Sequence, residues 1–571
     1  MVDTRADGVG EMDRWSTDAG RSKRRGLSRR CGGMRLLGLA SAVCCAAAGA
    51  SGAGCASTDE GSTPSSVGAS VRASEVVIAT PPGVERPPFV FSSEDEAFLE
   101  EVQYGAFRYL WEAGDPATGM PPDRLTNTVV SVAGVGFLLT ALPVAVERGW
   151  VTREAGEARA MLILRSLGRD PAIRKAGLFQ HFIDGRSAGI HPDPGLEHVV
   201  STIDSALLFA GMLTASSYFG GEVATRADAF FEEADWRFFV GGDEAKPHER
   251  GFVSLGWKPT DKNNPSGGGE ILPFYWVDSG CEHRLTTFLG VCAPRESHRL
   301  APETYYRLRR QLGAYEAPAG AEGLPADLDR STGLLSWFPY SGSLFVNTFS
   351  HLWLDYGAMG PDSPAAFGQP HRASIDWWEN SRRVTTLHRL KAIENPRGLP
   401  TLGADAWGLT ASDYPGPEGK GGYLVAGVFP RNVALEGARA GFDFSTFEAP
   451  DAWGDGTIAP YGPGCAILFQ PRAAVRSLRW IAGLKREDGT PLVWRDPRRP
   501  KAEGGGYGFL DAFNLRGPGG KPWAAEEYLA IDQGPLLLAI ENARTGRVWT
   551  WFHQHRFVRA GMERLKLERR R

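Results

Sequence analysis

The stretch SEDEAFLEEVQYGAFRYLWE, residues 93–112, shows the pattern that decides the fold. Ser93 and Glu96 have the spacing of a helix capping box, in which each side chain accepts a backbone N–H at the helix start. Apolar residues then recur at helical spacing and line one face: Leu99, Val102, Ala106, Tyr109 and Leu110. This spacing predicts an amphipathic helix that buries one side in a core.

The same helical pattern continues along the chain, whereas strand-like alternation is scarce. Further helices are predicted over 128–148, 152–167, 200–219, 222–239, 280–292, 301–313, 344–356, 371–393, 465–484 and 524–543. Between them lie long loops rich in Gly, Pro and aromatic residues, at 240–278, 394–464 and 486–522. Long ordered loops are usually functional. We therefore predict an all-α fold, a ring of helical hairpins with functional loops.

The composition excludes one class of partner. Lys and Arg total 63 against 67 Asp and Glu, a formal net charge of -4, so we expect no nucleic-acid partner, because a phosphate backbone requires a basic surface. No phosphate-binding Gly-rich loop and no metal-ligand spacing occurs, so neither a cofactor nor a metal is predicted. Of the seven cysteines, the body contains only Cys281, Cys292 and Cys465. Their odd number favours buried free thiols, with one bridge left open.

The N-terminal segment has the pattern of a targeting signal. A basic stretch precedes a small, apolar run over 36–53, and small residues lead directly into Cys55. This resembles the lipobox of bacterial lipoproteins, so residues 1–55 are predicted to be an extension and lipoprotein signal peptide with lipidation at Cys55. The Ser-, Gly-, Thr- and Pro-rich residues 56–92 are predicted to be a flexible tether. We expect a cell-envelope protein that contacts a membrane only through its lipid anchor, or a secreted one if the lipobox is not used.

Three acidic residues stand in settings that suit sugar chemistry. Hydrolysis of a glycosidic bond requires two carboxyl groups, one of them protonated. Glu197 and Asp204 lie in GLEHVVSTIDSALLFAG, residues 195–211, and Glu282 lies at a loop-to-helix junction in YWVDSGCEHRLTTFLG, residues 275–290. A carboxylate near a helix N-terminus is also a routine structural feature, so spacing alone leaves both interpretations open.

Ten stretches spread over residues 98–551 carry a family resemblance. They are MPPDR (120–124), AVERGW (145–150), HFID (181–184), STIDSALL (201–208), SHLWLDY (350–356), ENSRR (379–383), WGLTASDYPG (407–416), DGTIAP (455–460), GYGFLDAFN (506–514) and IDQGPLLLAIEN (531–542). In this order they resemble the bacterial glucoamylase-like, or glycoamylase-like, family. That family includes β-1,2-glucan hydrolases and is related to the transglycosylase domain of cyclic β-1,2-glucan synthases. The resemblance implies an (α/α)6 barrel over residues 93–555, with the active site among the inter-helix loops, followed by a basic tail at 556–571.

The resemblance also implies roles for the acidic residues. Glu197, Asp204 and Glu282 fall on acidic positions of the family, although Gly-Cys-Glu-His at 280–283 stands where relatives have Tyr-Asn-Glu-Ala. We expect the catalytic pair to come from Glu197 and Glu282, with Asp204 orienting or tuning one of them. Desolvation would supply the raised pKa that a general acid needs.

Polar and aromatic residues of the matched stretches are candidate substrate-binding residues. They are Asp123, Arg124, His181, Asp184, Trp276, His351, Trp353, Trp407, Asp413 and Asp455. A Trp face can stack on a sugar ring, but each of these Trp residues is equally compatible with a core position. For about half of the polar residues, a buried group satisfied by the backbone is the simpler interpretation.

The leading hypothesis is a glycoside hydrolase of glucans, with β-1,2-glucan favoured and α-glucan as the other substrate. Two alternatives stay open: a transglycosylase on the same fold and a non-catalytic glycan-binding lipoprotein. A carboxyl separation of roughly 6.5–9.5 Å would indicate inversion and about 5–5.5 Å retention. The sequence predicts a glucan oligosaccharide or polysaccharide as partner and gives no oligomeric state.

Overall fold

The structure is a computed structural model that describes residues 76–193, 195–196, 198–241, 251–261, 267–314, 334–337, 342–416, 421–430, 432–436, 442–447 and 451–570. The predicted signal peptide, the lipidation site Cys55 and the catalytic candidate Glu197 lie outside the described residues. Within these ranges, none of the helices combines the length and the apolar character needed to cross a membrane.

Helices dominate the described chain, so the all-α prediction is confirmed only in its coarser form, a mainly helical protein that also contains short strands. They are α1 Ser93–Glu112, α2 Val132–Glu147, α3 Arg153–Leu167, α4 Thr202–Phe219, α5 Gly221–Glu233, α6 Cys281–Cys292, α7 Pro302–Arg307, α8 Tyr356–Met359, α9 Trp377–Glu394, α10 Tyr461–Cys465, α11 Pro471–Ala482, α12 Ala530–Arg544, α13 Arg547–Gln554 and α14 Arg556–Leu565.

Short strands occupy much of the loop sequence between the helices. They are β1 Val77–Ile78, β2 Val129–Ser131, β3 Arg174–Lys175, β4 Leu178–Phe179, β5 Phe182–Asp184, β6 Val200–Ser201, β7 Val240–Gly241, β8 Phe252–Ser254, β9 Gly256–Pro259, β10 Gly269–Ile271, β11 Tyr275–Trp276, β12 Gln311–Ala314, β13 Leu334–Trp337, β14 Ser374–Ile375, β15 Ala411–Tyr414, β16 Gly422–Val425, β17 Asn432–Glu436, β18 Phe442–Phe447, β19 Trp494–Arg495, β20 Gly508–Phe509, β21 Phe513–Asn514 and β22 Trp523–Ala524. They pair into small sheets of two to four strands, the largest in the order β13-β12-β17-β18. Strands of this length are too short to show the alternation on which a sequence prediction depends.

Several helix predictions were wrong; over 344–356, for example, the chain forms two short 3-10 helices, and α8 begins only at Tyr356. The first helix is capped by Ser92, whose Oγ accepts the N–H of Asp95 at 3.1 Å, one residue before the predicted capping box. The helix predicted over 301–313 ends at Arg307, because the chain then enters β12, which pairs with a strand on each side. The helix predicted over 371–393 begins only at Trp377, after the strand β14.

The core is built on helices that are apolar on nearly every side. In α2 and α4 almost all residues are buried, and the pattern is that of inner helices. Gly136 and Gly211 let these two helices touch backbone to backbone, since a Cβ at Gly211 would collide with the carbonyl oxygen of Gly136. Helix α12 packs on α2 through Gly534, which lies against the side chain of Phe137. Helix α6 packs against α4, so the four helices form one contiguous group.

Both ends of the described chain pack more closely than the sequence suggests. Part of the predicted tether, residues 76–92, runs along the body: β1 pairs with β14, and Arg86 contacts the buried carboxylate of Asp376 at 2.8 Å. The predicted basic tail begins with helix α14, which buries one apolar face against α6. Arg569 then pairs with Asp355 at 2.5 Å. Apolar side chains within polar sequence, together with these ion pairs, hold both segments in place.

Candidate active site

Three acidic residues lie in the first turns of neighbouring core helices. Asp204 lies in the first turn of α4, Glu282 in that of α6 and Asp532 in that of α12. The N-terminal end of a helix carries partial positive charge and unsatisfied N–H groups, which favour a carboxylate. The sequence identified the first two of these acids and missed the third.

The carboxyl group of Glu282 has a strongly raised pKa. Its side chain is partly buried, and burial, followed by the negative charge of Asp204, raises the pKa of Glu282 from 4.5 to about 8. Both causes disfavour the charged carboxylate. Glu282 is therefore mainly protonated at neutral pH, as a proton donor must be.

Asp204, whose charge acts on Glu282, is only 6% exposed. The Oγ of Ser201 accepts the Asp204 backbone N–H and caps the helix. One carboxylate oxygen lies 3.5 Å from Nε2 of His181, whose ring stacks on Phe182. The other oxygen is buried and has no hydrogen-bond partner among the described residues. The structure thus brings together Asp204, Glu282 and His181, all three predicted from sequence.

A second group of predicted residues surrounds Arg124. Its Nη1 contacts the carboxylate of Asp413 at 2.7 Å, and its Nε lies 3.9 Å from that of Asp123. Burial raises the pKa of Asp123 although Arg124 opposes this shift. The carbonyl of Asp123 accepts the N–H of Ala530 at 3.0 Å and so joins this group to the start of α12. The charges of His181 and Asp204 also act on Asp123, which links the two groups electrostatically.

Asp511 and Asp532 complete the set of acids, and the sequence analysis did not single them out. They are 1% and 2% exposed. One oxygen of Asp511 accepts the N–H of Asp413 at 2.9 Å. Burial raises the pKa of both carboxyls, and the two interact directly with each other. Each acid stands in a largely apolar stretch, GYGFLDAFN and IDQGPLLLAIEN, and that unusual setting was a signal available in the sequence.

The predicted aromatic candidates lie in the core. Trp353 is fully buried, stacks on Phe137 at 5.5 Å and donates its Nε1–H to Thr140, and Trp407 is also fully buried. Trp276 is 4% exposed. It donates its Nε1–H to Oγ1 of Thr202 at 2.8 Å, so its ring supports the start of α4.

Three polar candidates are also satisfied within the protein. The buried His351 contacts Oγ of Ser381 through Nε2 at 2.9 Å, and burial holds its pKa well below the usual value. Asp184 accepts the backbone N–H and the hydroxyl of Ser187, both at 2.7 Å. Asp455 accepts the backbone N–H and hydroxyl of Thr457 at 3.1 and 2.7 Å. These hydrogen bonds within the protein are enough to explain the presence of each of the three residues.

Side chains that could bind a metal do not cluster in the described part of the chain. No group of three or more His, Cys, Asp or Glu residues there is arranged to hold an ion. Cys281, Cys292 and Cys465 are free and buried, as predicted. Carboxyl groups, Arg124 and His181 can supply proton transfer and hydrogen bonding at this site.

Fold and site together define a mainly helical protein in which carboxyl groups gather at the starts of adjacent core helices. Residues 275–556 match the Glycoamylase family model, whose description is "Putative glucoamylase". This match confirms the resemblance to the glycoamylase-like family, and the matched region contains Glu282, Asp413, Asp511 and Asp532.

Individual proteins show the same similarity. An exo beta-1,2-glucooligosaccharide sophorohydrolase (non-reducing end) of Parabacteroides distasonis is 24% identical over 490 residues, which cover 83% of this chain. The chain spans only 58% of the length of that relative. The crystal structure of a "putative glucoamylase" from Bacteroides uniformis has a TM-score of 0.59 at 25% identity, covering 84% of this chain and 98% of that one. An endo-beta-1,2-glucanase from Chitinophaga pinensis, solved with sophorotriose and glucose, has a TM-score of 0.58 at 23% identity, covering 83% and 98%.

Proposed function

We propose that this chain is a glycoside hydrolase that cleaves glucan, with β-1,2-linked glucan favoured over α-glucan. The observation that carries the proposal is the placement of Glu282 at the start of a core helix, where burial and the charge of Asp204 raise its pKa to about 8. Such a group can protonate the glycosidic oxygen as the bond to the sugar breaks. The names of the P. distasonis and C. pinensis relatives support the choice of the β-1,2 linkage.

In this mechanism Glu282 and the residues around it have different roles. Glu282 donates its proton to the leaving oxygen, and the charge of Asp204 helps to keep that proton in place before substrate binds. A second carboxyl group must act on the other side of the anomeric carbon. Glu197 is the candidate from sequence. Asp511 is a further candidate. Its carboxylate accepts the N–H of Asp413 and so belongs to the group of acids around Arg124, which we call the acid-rich site.

The proposal includes an (α/α)6 barrel for residues 93–555. It is supported by the alternation of buried and amphipathic helices along the chain. Helices α2 and α4 are buried on almost every side, whereas α3 and α5, which follow them, each bury only one face. Inner and outer helices of a toroid differ in this way.

The proposal also places the enzyme in the cell envelope, lipid-anchored through Cys55. It is supported by the basic and apolar pattern that leads into this cysteine. Incorporation of a labelled fatty acid into the full chain tests the anchor. Label is expected in the natural sequence and not in Cys55→Ser, and an unlabelled natural chain would reject lipidation.

The activity is tested by the release of new reducing ends from linear β-1,2-glucan, β-1,3-glucan and soluble starch. The purified protein should release them from β-1,2-glucan fastest, and Glu282→Gln should lose most of this activity. The matched control is Glu303→Gln, which also removes a carboxylate from a helix first turn, but an exposed one. Glucan binding without release would favour the non-catalytic alternative, and products of altered length without a net gain of reducing ends would favour a transglycosylase.

The second carboxyl group is identified by comparing Glu197→Gln with Asp511→Asn. The variant that loses activity as severely as Glu282→Gln, while still binding glucan, identifies the partner of Glu282. If both variants keep full activity, neither residue is the partner and the two-carboxyl assignment is wrong.

A further inference from the structure

The buried carboxyl groups of Asp511 and Asp532 interact with each other, and three of their four oxygens find no hydrogen-bond donor among the described residues. One oxygen of Asp511 and both oxygens of Asp532 are buried, and no N–H or hydroxyl group of the described residues reaches them. The remaining oxygen of Asp511 accepts the N–H of Asp413. Two buried carboxylates that face each other in this way repel strongly, unless they share a proton.

The groups around the pair provide little positive charge. Arg124 is the cation that acts on both Asp511 and Asp532, and it is already paired with Asp413. Tyr461 and Cys465 of helix α10, which packs against α12, interact electrostatically with Asp532. Burial, together with the charge of Asp532, raises the pKa of both, so they stay neutral at physiological pH.

The negative charge of Asp413 also acts on both acids, and Tyr109 of helix α1 is a further titratable group that interacts with Asp532. Burial raises its pKa well above the usual value, and the charges of Asp123, Glu527 and Asp532 add to that effect. Tyr109 donates its hydroxyl to the carbonyl of Pro122 and not to Asp532. Tyr109 therefore does not supply a proton that would relieve the repulsion between the two carboxyl groups.

The two acids differ in their hydrogen-bond partners, and this difference decides which one carries the proton. Asp511 accepts a backbone N–H, which stabilises its charged form, whereas Asp532 has only Asp511 beside it. In agreement, the pKa of Asp532 is raised well above that of a normal carboxyl by burial and by the charge of Asp511.

We infer that Asp532 is a positioning residue that stays protonated and donates a hydrogen bond to Asp511, so that Asp511 remains ionised and fixed in orientation inside the acid-rich site. This inference rests on the proposed function in one respect, the use of Asp511 as the second carboxyl group. Asp532 acts only through Asp511 and does not touch the substrate. Asp532 thereby keeps the buried Asp511 ionised, although burial alone would favour the neutral form of Asp511.

Two variants separate this role from a merely structural one. Asp532→Asn keeps a neutral side chain with N–H donors, so it should leave the acidic limb of the pH profile of kcat/KM where it is. Asp532→Ala removes the donor to Asp511, so the same limb should move to higher pH by about one to two units, the size of a lost hydrogen bond to a charged group. Equal shifts in the two variants, or no shift in Asp532→Ala, would overturn the inference.

A measurement without substrate keeps the test independent of the proposed activity. Infrared spectra of the purified protein at pH 7 should contain absorption from protonated carboxyl groups, and Asp532→Asn should lose part of it. An unchanged band in Asp532→Asn means that Asp532 is ionised and overturns the inference, even if Asp532→Ala fails to fold. If the protein cleaves no glucan but the band is lost, the proposed function fails and the shared proton stands.

Discussion

The carboxyl group of Glu282 lies within electrostatic range of Asp204, and each of the two residues is in the first turn of its own core helix. Burial and this charge together raise the pKa of Glu282 to about 8. One acid of the pair keeps the other protonated, as expected where two carboxyl groups must hold different protonation states. The dependence of the pKa of Glu282 on Asp204 can be measured.

The alkaline limb of the pH profile should depend on Asp204. In the unmodified protein, activity should fall as pH rises through about 8, because Glu282 then loses the proton that it must donate. Asp204→Asn removes a neighbouring negative charge, so the pKa of Glu282 falls and the alkaline limb moves to lower pH. The measurement is kcat/KM for β-1,2-glucan against pH, with Glu303→Gln as control. An unmoved limb would show that Asp204 does not tune Glu282.

The raised pKa of Glu282 should also appear as a stability cost. In the unfolded chain this carboxyl ionises near 4.5, whereas in the folded protein it ionises near 8. The unfolded state therefore releases a proton first, and the free energy of unfolding should decrease between these two pH values, by on the order of 5 kcal/mol. Glu282→Gln should remove this decrease and be the more stable protein at pH 8. Urea denaturation at several pH values tests this, and parallel curves for the two proteins would contradict it.

The sequence predicted the part of the site that lies in strongly patterned segments. Asp204 and Glu282 open apolar helices, and the resemblance to relatives drew attention to both. Asp511 lies in a loop just before β21, and its significance depends on Asp532, which is 21 positions further along the chain. A pairing of this kind arises from tertiary contact, so local pattern and spacing could not reveal it.

The assignment of Trp353 and Trp407 to substrate binding shows a second limit. Both stand in matched stretches, but an aromatic residue can owe its place in such a stretch to packing as well as to ligand contact. Their full burial decides between these interpretations, and burial depends on which helices surround a residue. The long loops were recognised as loops, while their short strands were not, because their pairing partners lie in other segments of the chain.

The backbone contact between α2 and α4 should make Gly211 intolerant of a side chain. A Cβ at this position would collide with the carbonyl oxygen of Gly136, and neither helix can retreat because both are enclosed in the core. Gly211→Ala should lower the free energy of unfolding by about 1–3 kcal/mol, the usual cost of overpacking a core. Gly403→Ala is the control, since nothing lies within 4 Å of its Cβ position. Equal stability of the two variants in urea would refute the close contact.

The segment before the first helix should contribute to stability through Arg86. Its guanidinium contacts the fully buried carboxylate of Asp376, and it also lies 5.4 Å from the ring centroid of Trp378. Asp376 caps α9 through the N–H groups of Trp378 and Glu379 and accepts the hydroxyl of Thr80, so it keeps partners when Arg86 is removed. Arg86→Ala should therefore cost about 1–3 kcal/mol, less than a completely stranded buried charge would.

The control for Arg86 is Arg165→Ala, which breaks an exposed ion pair with Glu222 at 3.2 Å. Exposed pairs contribute little, so this variant should lose no more than about 0.5 kcal/mol. Urea denaturation of both variants, supported by limited proteolysis near residues 76–92, measures the difference. If Arg86→Ala is no less stable than Arg165→Ala, residues 76–92 do not stabilise the body, and the sequence-based description of them as a tether would be the better one.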